Sequence, residues 1–246
     1  MNATGAGNAT GNTADKIRYA GAGNNVLNGL GGTGTAAFLY ASAAVTVSLA
    51  SASAQSTGGS GSDTLTNMEN LEGSNYNDTL TGNTAANVLQ GGLGNDTLNG
   101  AAGNDTLNGG AGTDTLVGGT GNDTYLLGRG YGSDSITEND ATAGNVDMAL
   151  FGADIAIDQI WLRQVGNNLE VSVIGGSDKF TLNSWYLGSQ YHVEQFKTSD
   201  GHMLTDANVQ NLVQAMASFS PPAAGQTTLP SNYQTSLATV IAANWQ

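Results

Sequence analysis

Apolar residues recur every nine positions through the middle of the chain. From Gly73 to Leu126 they fall at Leu80, Leu89, Leu98, Leu107, Leu116 and Tyr125, and two residues before each stands Asp78, Asn87, Asp96, Asp105, Asp114 or Asp123. The six copies read GSNYNDTLT, GNTAANVLQ, GGLGNDTLN, GAAGNDTLN, GGAGTDTLV and GGTGNDTYL. Late in each copy the residues alternate, as in Asp96-Thr97-Leu98-Asn99, which predicts a short strand with one buried face. The glycines ahead of it predict a tight turn whose carbonyls point inward, because glycine enters φ > 0 freely. Two nonapeptides then complete one coil, and turns eighteen residues apart stack on the same edge. One edge should carry Asp78, Asp96 and Asp114, and the other Asn87, Asp105 and Asp123.

The flanking patterns divide the chain into four parts. Residues 1–72 read as degenerate repeats with lead-in strands: Gly11-Asn12-Thr13-Ala14 through Gly29 aligns with Gly82 through Gly100 at an offset of 71, placing Asn25 where Asp96 stands. Residues 36–60 break the repeat; Val45-Thr46-Val47-Ser48-Leu49 alternates like a strand, and a Gly/Ser stretch follows before Asp63-Thr64-Leu65 and Asn67 to Leu71 rejoin the coil. Residues 73–140 form the regular repeat, and 141–205 change character. There Val146–Phe151, Ile160–Leu162, Leu169–Ile174, Lys179–Leu182 and Val193–Phe196 read as strands, with turns at Gly166-Asn167-Asn168 and Gly175 to Asp178. Residues 206–246 read as two helices. Thr205 or Asp206 is the expected first cap, Val209, Leu212, Val213, Met216 and Phe219 form one apolar face, and Pro221-Pro222 ends it. Ser231 is the expected second cap, ahead of Tyr233, Leu237, Val240, Ile241 and Trp245.

The stacked acids point to cation chemistry. Adjacent strands lie about 4.8 Å apart. Two carboxylates at about 5 Å repel by roughly 0.8 kcal/mol in water and roughly 3 kcal/mol at an effective dielectric of 20. No Lys or Arg lies between Gly73 and Leu126 to offset this. One Asp in such a turn is an ordinary turn former. Consecutive copies in register favour a hard divalent ion, and calcium accepts carboxylate and carbonyl oxygens in a flexible shell that magnesium does not. With no Cys anywhere and no His in this stretch, zinc is disfavoured.

These repeats resemble those of the RTX (repeats-in-toxin) family of bacterial exoproteins, G-G-x-G-x-D-x-U-x with U large and apolar. The resemblance implies an all-β fold: a parallel β-roll with several calcium ions between same-edge turns, then a small β-rich capping domain and C-terminal helices. It implies one ligand set of Gly92, Gly94, Asp96, Gly109, Ala111 and Asp114, and a second of Ala101, Gly103, Asp105, Gly118, Thr120 and Asp123. Gly110, Gly112, Gly119 and Gly121 belong to the same candidate turns. A third pairing, Asp78 with Asp96, lacks glycines at its first turn, and that of Asn87 with Asp105 has lost a carboxylate and should be weak. Asp134, in the segment Gly128 to Ile136 that resembles the family's closing turn, is a further candidate. Residues 145–205, with the Gly-Asn-Asn-Leu hairpin, Trp185 and Asp200-Gly201, resemble a domain found after such repeats and would cover the open end of the roll. The resemblance also implies type I secretion through a C-terminal signal, an extracellular or cell-surface location in a bacterium, and a role as a monomeric module of a larger exoprotein. Met1 followed at once by Asn- and Gly-rich sequence fits a cut into a longer array.

Composition narrows the alternatives. Net charge is −14 over 246 residues with 36 Gly, which suits cation binding and disfavours nucleic acid. No apolar run approaches the roughly 20 residues of a membrane span, and Met1–Tyr19 has no Sec-type signal. Catalysis is not expected: no G-x-S-x-G elbow accompanies His192 and His202, although Asp200 neighbours the latter. Both histidines read as surface or hairpin residues. Gly29 to Gly34 satisfies G-x-G-x-x-G only because glycine is abundant. Trp161, Trp185 and Tyr186 read first as core aromatics, and second as a platform for polysaccharide or a cell surface.

Overall fold

Strands eighteen residues apart pair in parallel and build the body of the molecule. The computed structural model describes residues 9–10 and 14–246; of the degenerate repeat aligned above, Gly11–Thr13 lie outside the described residues. Among those described, one sheet runs in the order 16–19, 34–37, 70–72, 88–93, 106–111, 124–127, 148–151, 195–197 and 203–205. Facing it, a second sheet runs 46–48, 79–81, 97–102, 115–120, 133–137, 179–182, 168–173 and 160–165. A smaller sheet joins 9–10, 26–28, 61–66 and 55–58. The repeat thus forms a parallel β-roll, one strand per nonapeptide.

Register follows from the apolar position. In the first sheet Leu71, Leu89, Leu107, Tyr125, Ala149 and Phe196 stand opposite one another in turn. In the second, Val47, Leu80, Leu98, Leu116, Ile136 and Leu182 do the same. All twelve are buried. Each Leu so enclosed contributes about 1.5–3 kcal/mol, and a slip of one residue would turn the whole ladder to solvent. The polar residues on either side face outward or into the turns.

Asparagines add an outer ladder that explains the Asn-Asp-Thr triplets. The amides of Asn95 and Thr113 donate to the side chains of Asn77 and Asn95, at 2.8 and 2.9 Å, and those of Asn122 and Val146 to Asn104 and Asn122 at 2.9 Å. Each Asn therefore fixes the next coil on its own edge.

Both sheets continue past the repeats. Strand 133–137 pairs in parallel with 179–182, and 124–127 with 148–151 and then 195–197. Antiparallel strands follow: 168–173 and 160–165 on one side, 203–205 on the other. A two-residue connection permits the reversal, and Gly166-Asn167 supplies it, with Gly166 at φ +61.

Two helices close this end: α1, Asp206–Met216, and α2, Ser231–Asn244. Val209, Leu212, Val213 and Met216 of α1 are buried, as are Leu237 and Ile241 of α2. Two expectations are corrected. Ser231 is the first helical residue, with Pro230 at the cap position, and neither Thr205 nor Pro230 makes a side-chain cap bond. Phe219 lies beyond α1 and packs instead on Tyr233, ring centroids 4.6 Å apart. The tail is anchored: Trp245 packs on Phe151 at 6.3 Å, and the backbones of Gln246 and Met203 exchange two hydrogen bonds of 2.7 and 2.9 Å.

Ala101 is the one strained position in the regular turns. It sits at φ +77, where the neighbouring turns carry Gly92, Gly110 and Gly119. An L-residue in this region costs about 1–2 kcal/mol, offset in part by the added freedom of an unfolded glycine, about 0.5–1 kcal/mol. Ala101→Gly should therefore raise the melting temperature by about 2 °C, read by thermal denaturation.

Candidate metal centre

Each turn presents its aspartate to the coil that precedes it. The amide of Asp78 donates to Oδ1 of Asp96 at 2.7 Å, Asp96 to Asp114 at 2.8 Å, and Asp114 to Asp134 at 2.9 Å. On the other edge Asn87 donates to Asp105, Asp105 to Asp123, and Asp123 to Asp147, each at 2.8 Å. The spacing of eighteen stretches to 20 at Asp134 and to 24 at Asp147. Asp134 thus continues the Asp114 edge, not the edge of Asp123.

One oxygen of each aspartate is used in this way, and in four of them the other is left over. Oδ2 of Asp96, Asp105, Asp114 and Asp123 is buried without a hydrogen-bond partner among the described residues. A buried, unpartnered charged oxygen is costly. The position-one glycine makes room for it. A Cβ on Gly91 would collide with Oδ2 of Asp96 and with the carbonyl oxygen of Gly109 in the next coil. The turn is a cradle of carboxylate and carbonyl oxygens that a side chain would fill. Gly110, at φ +94, likewise leaves space beside the carbonyl of Gly92. Of the candidate carbonyls, those of Ala111 and Thr120 each accept one backbone hydrogen bond, from Gly94 at 3.0 Å and Gly103 at 2.8 Å. A second lone pair remains on each.

Asp78 and Asn87 differ from the rest. Asp78 accepts from the amide and hydroxyl of Ser74 and from the amide of Val45, so both its oxygens are satisfied. Asn87 accepts from Asn83 at 2.7 Å and donates to the carbonyl of Glu69 at 2.7 Å, where an aspartate would leave an oxygen bare. Asn25 serves its own turn similarly, accepting from Gly21 at 2.8 Å. In these turns protein groups meet the side-chain oxygens.

Burial dominates the electrostatics. It pushes the carboxyls of Asp96, Asp105 and Asp134 up to about 7, with neighbouring acids adding to the shift, and it raises those of Asp114 and Asp123. A hard cation bound to these oxygens would reverse the effect. Oxygen-only donors, carbonyls beside carboxylates and a pocket kept open by glycine fit calcium.

The residue pattern has a named counterpart. The model of the RTX calcium-binding nonapeptide repeat matches in four copies, at residues 19–36, 72–107, 90–125 and 100–133. The chain carries RTX calcium-binding nonapeptide repeats over residues 19–36 and 72–133. Its repeats are calcium-binding, with several ions implied by several repeats. Residues 168–208 match the haemolysin-type calcium binding protein related domain. Over 73% of its length the chain is similar to the crystal structure of extracellular lipase LipA from Serratia marcescens, at 18% identity and a TM-score of 0.35, and it spans 38% of that lipase chain.

Other candidate groups lie apart from the turns. Trp161 and Trp185 are buried, so they form no exposed platform for a glycan. His192 departs from the surface expectation: it stacks on Trp185 at 4.1 Å and bonds Asp206 at 3.0 Å. His202 lies in the hairpin, 3.0 Å from Asp200, whose other partner there is the Thr198 hydroxyl. Sequence reasoning missed Glu138 and did not mark Asp147 as part of the acid ladder. The signals were present in Asn145-Val146-Asp147-Met148-Ala149, which carries an acid two residues before a small apolar one, and in Tyr125, a phenol at the leucine position that needs a polar partner when buried.

The sign of the pH dependence follows from these shifts. In chelator the folded roll holds protons on Asp96, Asp105 and Asp134 that the unfolded chain releases near pH 4. The linked stability is present below pH 4 and is lost as pH rises through about 7. The β signal in chelator, read by circular dichroism at fixed temperature, should fall from pH 5 to pH 8, whereas saturating calcium should reverse the trend because its ligands must be deprotonated. A rise with pH in chelator would contradict the assignment.

Proposed function

We propose that this chain is a calcium-dependent module of a larger exported protein, and that ion binding drives its folding outside the cell. The observation that supports this most is the set of buried, unpartnered oxygens on Asp96, Asp105, Asp114 and Asp123. One ion would lie among the carbonyls of Gly92 and Gly94, Asp96, the carbonyls of Gly109 and Ala111, and Asp114. Another would lie among Ala101, Gly103, Asp105, Gly118, Thr120 and Asp123. Asp114 with Gly110 and Gly112 faces Asp134, and Asp123 with Gly119 and Gly121 faces Asp147, so the same edges extend to the end of the array. Asp78 falls outside the proposed set because its oxygens already have donors.

Without calcium, repulsion between stacked carboxylates and the entropy of a glycine-rich chain oppose coil formation. The chain then stays threadable for a type I secretion apparatus. Outside, calcium at roughly 10⁻⁴–10⁻³ M fills the turns and the roll closes. The strands beyond Ser133 offer a preformed edge for the last coil. The helical tail, residues 206–246, would carry the export signal while unfolded and dock afterwards. No catalytic role is assigned to the module, which acts as a monomer at the bacterial surface or in the medium.

Circular dichroism of chelator-treated protein during a calcium titration tests the reading. A cooperative gain of β signal between micromolar and millimolar calcium is expected, and full β signal in chelator at neutral pH would sink ion-driven folding. Asp96→Asn with Asp114→Asn keeps the acceptors of the amide ladder and removes charge. This pair should lower calcium stoichiometry and shift the midpoint upward by about tenfold or more.

A further inference from the structure

A second kind of acid cluster closes the array. Asp123 is the last repeat aspartate, Glu138 follows strand Ser133–Thr137, and Asp147 precedes strand Met148–Phe151. Potential ligand oxygens of the three lie within 4.8 Å of one another. The side chains are 1%, 2% and 3% exposed. Oδ2 of Asp123 and Oε2 of Glu138 have no hydrogen-bond partner among the described residues. The remaining contacts are specific: Asp147 Oδ1 accepts from the Asp123 amide at 2.8 Å, and the Tyr125 hydroxyl donates to Glu138 Oε1. The Asp147 amide in turn donates to Glu194 at 2.7 Å. A Cβ on Gly118 would strike Asp123 Oδ2, the Tyr125 hydroxyl and Glu138 Oε1 together, so three oxygens from two segments converge on one open point.

We propose that Asp123, Glu138 and Asp147 form a further calcium site, distinct from the repeat turns, that locks the last coil to the strands beyond it. None of the ion pairs among the described residues supplies a cation to these three carboxylates. Buried carboxylates without a counter-charge are retained where they are paired or bind a metal. The donors are all oxygen, which selects a hard cation over zinc or copper. Three side-chain carboxylates exceed the two of each repeat pair, and ligand charge tunes calcium affinity. The site should fill at roughly tenfold lower calcium than the turns. Glu138 is contributed by a loop outside the nonapeptide pattern, so the site is a property of this chain's insertion between Ile136 and Asp147. The proposal rests on the calcium reading above and shares Asp123 with its second ion, but it uses none of the carbonyl ligands assigned there.

Terbium, a luminescent calcium substitute, tests it on the full chain, because Tyr125 lies beside the site and can sensitise a bound ion. Wild type should show tyrosine-excited emission over the first equivalent of terbium, and equilibrium dialysis should count its calcium. Glu138→Gln should lose that first phase and bind one calcium fewer. Tyr125→Phe should keep the calcium count and lose the emission. Asp96→Asn, run alongside, reports on the repeat turns alone. A folded Glu138→Gln with an unchanged count and an unchanged first phase overturns the proposal and leaves the three acids sharing protons. If Asp96→Asn lowers the count while Glu138→Gln does not, only the terminal site fails. If neither does, the repeat assignment fails as well. Should Glu138→Gln not fold, Tyr125→Phe decides, and undiminished emission there overturns the site.

Discussion

The roll depends on one hydrogen bond repeated along each edge, from a backbone amide to the aspartate side chain of the following coil. It fixes the height of every turn, holds the carboxylate inside, and occupies only one of its two oxygens. The free oxygen then faces carbonyls that glycine allows to crowd in. Tight stacking and cation affinity therefore come from the same contact. The leucine ladders supply the hydrophobic stabilisation, but they would tolerate many turn geometries; the aspartates select this one.

How much of this was visible in the sequence varied with the element. The nine-residue period gave the coil, its register and the two edges, because apolar burial and the turn recur at fixed spacing. The roles of individual acids were less legible. Asp78 matches the repeat, yet Ser74 and Val45 satisfy it, and a motif does not show which donors a neighbouring segment brings. Asp134 and Asp147 sit 20 and 24 residues after their partners, so a strict period could not align them. Glu138 lies on a loop with no repeat at all, and its placement is set by how that loop folds back across Tyr125. Strand limits beyond the repeat were nearly readable, since turn residues such as Gly166 announce themselves. The start of α2 was not, because Pro230 and Ser231 are both plausible at a helix entrance.

The far end shows how a parallel roll can be terminated. Parallel coils cannot end without leaving an unpaired edge. Here the two sheets each turn antiparallel after the last coil, and the helices cover what remains. Trp161 and Trp185 were second-choice candidates for a binding surface, and their burial assigns them to this closure instead. The acids at the junction sit between the repeat and the closing strands, where ion chemistry and sheet continuity meet.

The amide-to-aspartate ladder also has a polarity. Every donor looks for its acceptor in the coil nearer the C-terminus, and the asparagine ladder that runs the other way lies on the outside. A coil added to the N-terminal side of a finished stack meets carboxylates already in position. A coil added to the C-terminal side must instead supply them to amides that are already enclosed. The two ends of the stack are thus inequivalent: one is a template, the other a demand. Growth from the closing strands backward satisfies each buried amide as it arrives, so the order of assembly is written in the direction of a single bond.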